Sequence, residues 1–310
     1  MKGRFEREWV QRLDSGSWRR VLGSTTAVRI RSTGPVRSVD LARRSAATRY
    51  ASRRNPRRFS EVKSLCVFIG HVKSGGSLVG SMIDAHPDAL VSDEVDLLRY
   101  LEAGFRRDQL CHLVEKGSRR EAMKGRVTAR RLEPYSLEVP GSFQGRADRV
   151  RVLGDVRAGP TTRRLGAHPE LIEQLDRLMA PTVPKYIHVV RNPFDPISAM
   201  VRRGQRTFDN AIQDYADQCH RLVGLRTQLP PERLLTVRYE SFTGDPATEL
   251  GTVCGFLGLA TSAAYLDGCA GVIQTDRPGE RSSLDWSQAS IDAVLALIES
   301  VPFLSGYRWQ

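Results

Sequence analysis

The chain's 310 residues, 40% of them hydrophobic, supply one full single-domain core with chain to spare, and carry a formal net charge of +12. No run of about 20 apolar residues occurs, which argues against a transmembrane anchor, and no signal-peptide apolar segment precedes the core. Five cysteines, an odd count with no C-x-x-C pair, argue against a disulfide framework and for buried thiols in a reducing, cytoplasmic setting.

The charge is concentrated at one end. Residues 1–60 hold 16 Lys and Arg against 4 Asp and Glu, whereas residues 61–310 hold 31 of each. Residues 1–60 therefore read as a basic, flexible extension, with a short helix over Phe5 to Leu22 as an alternative, and residues 61–310 as the folded domain. An Arg-rich, Ser-bearing, acid-poor segment also suits an organelle transit peptide, or an arm resting on anionic lipid or nucleic acid. The balanced core argues against nucleic acid as the main partner, since no basic stripe with interleaved aromatics follows residue 60.

From residue 65 onward, strands and helices alternate. Leu65 to Ile69 is apolar and reads as a buried strand ended by Gly70. After Gly76 the residues Leu78, Val79, Met82 and Ile83 fall at helical spacing, so a strand, a glycine turn and a helix follow one another. The first amides of such a helix point unpaired into the turn and favour a phosphate or sulfate. Set against the Walker A pattern G-x-x-x-x-G-K-S/T from Gly70, the chain matches at Gly75 and Ser77. It puts Gly76 where the lysine belongs and carries its cation at Lys73. A kinase or ATPase, with Val152 to Asp155 as its Walker B strand, would lack the lysine for its β- and γ-phosphates.

Residues 93–116 read as a helix, and residues 117–149, charged and glycine-punctuated, as an insertion or lid. A strand over Val150 to Leu153, a helix over Pro169 to Met179 and a strand over Tyr186 to Val190 follow. Asn192 then suits an N-cap, Pro193 the first helical position and Asp195 the first turn, so a new helix opens there. Arg191 projects from the carboxyl end of the preceding strand. Ligands of open parallel sheets bind at that edge, and arginine offers a planar fork for phosphate. An amphipathic helix from Phe208 through Leu222, a strand over Leu234 to Val237, a helix over Ala247 to Leu257 and a last helix through Ile291 to Ile298 complete the pattern. The expected fold is three-layer α/β/α around a mainly parallel sheet.

The segments Lys73-Ser74-Gly75-Gly76-Ser77 and Arg191-Asn192-Pro193-Phe194-Asp195 together resemble the donor-binding segments of sulfotransferases that use 3'-phosphoadenosine 5'-phosphosulfate (PAPS). Similarity continues through Asp84-Ala85-His86-Pro87 with Asp93-Glu94, Val237 to Phe242, Asp245-Pro246, Gly255 to Leu259, Arg281 to Trp286 and Pro302 to Tyr307. It covers about residues 62–310. The resemblance implies a P-loop-like turn in which Lys73, Ser74, Gly75, Gly76, Ser77 and Leu78 bind the 5'-phosphosulfate. It places Arg191 and Ser198 on the 3'-phosphate, Tyr239 near the adenine and Arg281 in a basic loop over the donor. It also makes Glu94 the base and Lys73 the cation on the leaving oxygen, with no metal and with a small-molecule, glycan or peptide acceptor. His71 and His86 are rival bases. Two departures stand out: Ala199 occupies the position where relatives carry a serine, displacing it to Ser198, and Val156 stands where they often carry a lysine, leaving Arg157 as a substitute.

Overall fold

The computed structural model describes residues 34–93, 95–128, 135–202, 206–273 and 280–309. Glu94 and the Phe5 to Leu22 segment lie outside them. The chain divides into two units, Met1–Ala51 and Ser52–Gln310. In the first, α1 (Gly34–Arg54) is a polar helix with an i,i+4 ion pair between Asp40 and Arg44 at 3.0 Å.

In the second unit Phe59 and Val62 are already buried, ahead of β1 (Ser64–Gly70). Then come α2 (Gly76–Asp84), β2 (Ala89–Ser92), α3 (Leu97–Glu102), α4 (Arg107–Ala122) and a two-residue hairpin of β3 (Val127–Thr128) and β4 (Tyr135–Ser136). The central elements follow: β5 (Val152–Asp155), α5 (Ala158–Ala167), α6 (Leu171–Met179), β6 (Val183–Val190), α7 (Phe194–Arg202) and α8 (Phe208–Gln228). The chain closes with β7 (Leu234–Arg238), α9 (Tyr239–Gly244), α10 (Pro246–Leu257), α11 (Ala263–Ala270) and α12 (Gln288–Ser300).

Strand order is β2-β5-β1-β6-β7 and every pairing is parallel. Alternation along β1 explains the layers. Cys66 and Phe68, with Ile187 and Val189 of β6, face a cluster containing Val79, Met82 and Ile83 of α2 and Leu250 and Val253 of α10. Leu65, Val67 and Ile69, equally buried, face the other way. On that side Gly70 accepts from Gln218 of α8 and donates to Thr162 of α5. After β5 the chain passes over β1 to reach β6. The carboxyl ends of β5, β1 and β6 thus form a topological switch point, the place where such sheets bind ligands.

The layered α/β fold expected from the alternation is present, with corrections in detail. The sheet has five strands where the sequence pattern shows four, because Ala89–Ser92 is too short to display a period. The helix expected over 93–116 is two helices interrupted near Gly104, whose φ of 75° no continuous helix accepts. Residues 117–122 extend the second of them. The strand expected over Val150 to Leu153 runs from Val152 to Asp155, and α5 is an additional helix.

Candidate functional site

The turn between β1 and α2 is built around left-handed backbone. Lys73 has φ 70° and Gly75, the residue capping α2, has φ 98°. A Cβ on Gly75 would lie 2.2 Å from Cδ2 of Tyr239, so only glycine fits. Leu78 and Val79 both donate to the Gly75 carbonyl. Among the described residues the amides of Ser74, Gly75, Gly76 and Ser77 donate to no acceptor. The buried Ser74 Oγ has no partner there either. Consecutive unpaired donors at a helix start form an anion cradle.

Val156, at the position where a lysine was expected from the resemblance, is packed beneath this turn. Its Cγ2 lies 2.4 Å from where a Cβ on Gly80 would stand, and its Cγ1 3.3 Å from that of Gly76. Ser77 reaches outward, and its Oγ donates to Asp93 Oδ1 at 3.0 Å. The segment carrying Asp93 therefore crosses above the start of α2. Its far end is pinned by Asp155, whose Oδ2 accepts the Leu97 amide at 2.7 Å. Burial, reinforced by Asp96 and Asp93, pushes the Asp155 carboxyl up to about 7 against the Leu97 amide and Arg157.

Arg191 arrives from the end of β6. Its Nη1 approaches the Lys73 carbonyl at 3.5 Å, and its guanidinium lies 4.4 Å over the Tyr239 ring. Tyr239 is thus held between Gly75 and Arg191. Asp195, 4% exposed in the first turn of α7, orients two arginines: Arg191 Nε at 3.5 Å and Arg281 Nε at 3.4 Å. Arg281 Nη1 also donates to the Trp309 carbonyl at 3.0 Å. Asn192 caps α7 through Phe194 N and donates from Nδ2 to the Arg308 carbonyl at 2.8 Å. Its amide donates to Glu240, which accepts in turn from the Tyr307 hydroxyl. The carboxyl-terminal segment is therefore tied directly to the arginine turn.

Of the residues singled out from sequence, Lys73, Ser74, Gly75, Gly76, Ser77, Leu78, Arg191 and Tyr239 come together at one loop, with Arg281 joined through Asp195. Ser198 does not open onto it, being fully buried with its Oγ accepting from Trp286 Nε1 at 3.2 Å. Glu94 lies outside the described residues. His71 is buried and stacked on Tyr215, its Nε2 donating to the Tyr215 carbonyl at 3.1 Å. Burial lowers its pKa to about 4 against that hydrogen bond. His86 accepts the Asp88 amide and donates to the Ala260 carbonyl, a structural cap. The sequence reading missed Asp195 as an organiser of both arginines and the Asp93–Ser77 contact. The first was visible only as a helix-start acid, and the second had no local signal.

A parallel sheet with a turn of unpaired amides after its central strand, flanked by carboxylate-held arginines, defines an α/β protein of the P-loop-like class. The family described as "Sulfotransferase family" matches residues 67–263, well over half of the chain, and the protein belongs to that family of transferases. No curated protein matches the sequence. Solved structures with partial similarity include the sulfotransferase domain of the Synechococcus PCC 7002 olefin synthase, at 21% identity over 77% of this chain and 95% of that one, with a TM-score of 0.47. Sulfotransferase STF9 from Mycobacterium avium is 10% identical over 85% of this chain and 84% of its own, with a TM-score of 0.48. Mouse sulfotransferase SULT7A1, solved with PAP, is 11% identical over 79% and 88%, with a TM-score of 0.41. The family assignment rests on the sequence match over residues 67–263.

Proposed function

We propose that the protein transfers a sulfuryl group from PAPS to a hydroxyl or amine of a small-molecule, glycan or peptide acceptor. The observation that carries this reading is the cradle of unpaired amides at residues 74–77 beside the Arg191 guanidinium, which touches the same loop. One ligand with phosphate groups at both ends of an adenosine suits that pair. The unpartnered Ser74 Oγ and the planar fork of Arg191 fit its oxygens.

The donor supplies the sulfuryl group and a phosphate leaving group. Lys73 and the loop amides carry the positive potential needed where charge grows on the bridging oxygen. Arg191 and Arg281, set by Asp195, hold the 3'-phosphate end. Glu94 takes the acceptor proton as the new S–O or S–N bond forms. Support for that role comes from its neighbour Asp93, which brings the segment to Ser77 at the loop. Thermal unfolding tests the reading: adenosine 3',5'-bisphosphate raises Tm without magnesium, and ATP with magnesium gives no comparable rise. Glu94→Gln keeps bisphosphate binding and loses turnover, and Lys73→Ala loses turnover more than binding. Normal turnover in Glu94→Gln would remove this carboxylate from the reaction.

A further inference from the structure

Arginines along the carboxyl edge of the sheet are generally matched to acids. Arg164 pairs with Asp96 and Glu102, Arg191 and Arg281 with Asp195, and Arg206 with Asp214. Arg157, Arg163 and Arg221 have no such partner among the described residues. Arg157 caps α5, Arg163 lies on α5 and Arg221 on α8, the two helices that reach Gly70 from the side of the sheet away from α2.

Arg157 caps α5 directly after β5, and its buried Nε has no hydrogen-bond partner. Arg163 stands further along α5 and folds back toward the loop. Its Nη1 lies 3.8 Å from the Cβ position of Gly159, itself 2.8 Å from Val72 Cγ1. The guanidinium thus sits beside the residue that precedes Lys73. Arg221, on α8, lays its stem across α5, with Cβ, Cγ and Cδ each 3.3 Å from the Cβ position of Gly166. Gln218 fixes the two helices to the loop by donating to the carbonyls of Gly70 and Gly159, both at 3.1 Å.

The heads feel one another. Partial burial, then Arg221, Arg157 and Arg206, hold the Arg163 guanidinium below its ordinary pKa, and the opposing acid, Asp214, is already engaged by Arg206. Asp155 and Asp214 lie within reach of this charge but form no ion pair with Arg157, Arg163 or Arg221 among the described residues, and clustered positive charge of that kind is relieved by a bound anion. Val72, 42% exposed, adds an apolar surface next to it.

We infer that Arg157, Arg163 and Arg221 form an acceptor subsite that holds a carboxylate, sulfate or phosphate group carried by the molecule to be sulfated. The inference rests on the sulfuryl-transfer reading of the loop and adds the class of acceptor: a hydroxyl or amine compound that is itself an anion. The donor's 5'-phosphosulfate is assigned to the loop amides and its 3'-phosphate to Arg191 and Arg281.

Matched pairs of acceptors test it: methyl β-D-glucuronide against methyl β-D-glucoside, and 4-hydroxyphenylacetate against its methyl ester. Each is titrated calorimetrically into the full chain saturated with adenosine 3',5'-bisphosphate, for the wild type, Arg163→Gln/Arg221→Gln and Arg163→Lys/Arg221→Lys. The acid of at least one pair binds the wild type at least tenfold tighter than its neutral partner. The glutamine variant loses that preference, the lysine variant keeps most of it, and all three bind the bisphosphate alike. Equal binding of acid and neutral members, or a preference that survives in the glutamine variant, would overturn the subsite. A glutamine variant that loses the bisphosphate would also overturn it, by moving these arginines to the donor. Failure of the wild type to bind the bisphosphate would strike the donor reading instead, and the same titrations on the unliganded chain would still decide the subsite.

Discussion

Asp155 and Gly75 show how much of this site depends on single residues with no exposed chemistry. Gly75 combines a φ of 98° with a ring 2.2 Å from its missing Cβ. Gly75→Ala must therefore displace Tyr239, and with it the face on which Arg191 rests, at a strain on the order of 1–3 kcal/mol. A drop of at least tenfold in adenosine 3',5'-bisphosphate affinity, read by calorimetry, is expected. Asp155 is raised to about 7, chiefly by burial. Its unfolded value is about 3.9, so between these two the native state holds a proton that the unfolded chain releases. The contribution of the protonated carboxyl is complete below about 3.9 and is lost as pH rises to about 7. Asp155→Asn removes that loss. The Tm of the variant minus that of the wild type should grow between pH 4 and pH 8, and a constant difference would show that Asp155 titrates normally.

At the scale of elements, a buried carboxylate joins pieces that are far apart in the chain. Asp84, at the end of α2, is fully buried and accepts from Val91 N at 2.5 Å, Ser118 Oγ at 2.6 Å, Gly145 N at 2.9 Å and Arg126. It fastens β2, α4 and the segment before β5 to α2. Removing one partner of a buried pair leaves an uncompensated charge, so Arg126→Met should lower unfolding stability by roughly 3–5 kcal/mol in a urea titration. The same scale explains which elements were hard to read. The α5 sequence contains Gly159, Pro160 and Gly166, poor helix formers. It is held by packing and by the Thr162–Gly70 hydrogen bond at 2.8 Å. Long, strongly patterned elements such as α8 and β6 carried their own signal.

For the molecule as a whole, the division between Ala51 and Ser52 separates most of the basic segment from the unit that carries the site. Burial of Phe59 and Val62, and the Arg58–Glu115 ion pair at 3.0 Å, tie residues 58–62 to the larger unit, so a cut at residue 60 would remove core contacts. A chain beginning at Ser52 is expected to bind adenosine 3',5'-bisphosphate as the full chain does. Binding of the full chain to polyanions should fall steeply with salt and weaken with the deletion. A deletion that abolishes bisphosphate binding would show that the first unit supports the site.

The order of strand, glycine turn and helix, the position of Lys73 and the arginine turn at Arg191 were all legible in the chain, because each depends on local periodicity, capping and backbone sterics. Local rules also gave the expectation of an anion at residues 74–77, which bisphosphate binding tests. What no local pattern contains is which distant groups share a space. That Tyr239 fits only against Gly75, that Asp195 governs both Arg191 and Arg281, that Ser198 is turned to Trp286, and that Arg163 folds back to Gly159 and Val72 follow from the strand order β2-β5-β1-β6-β7 and the packing of helices on it. Such juxtapositions are set by long-range burial and charge, and these become defined only when the whole sheet has closed.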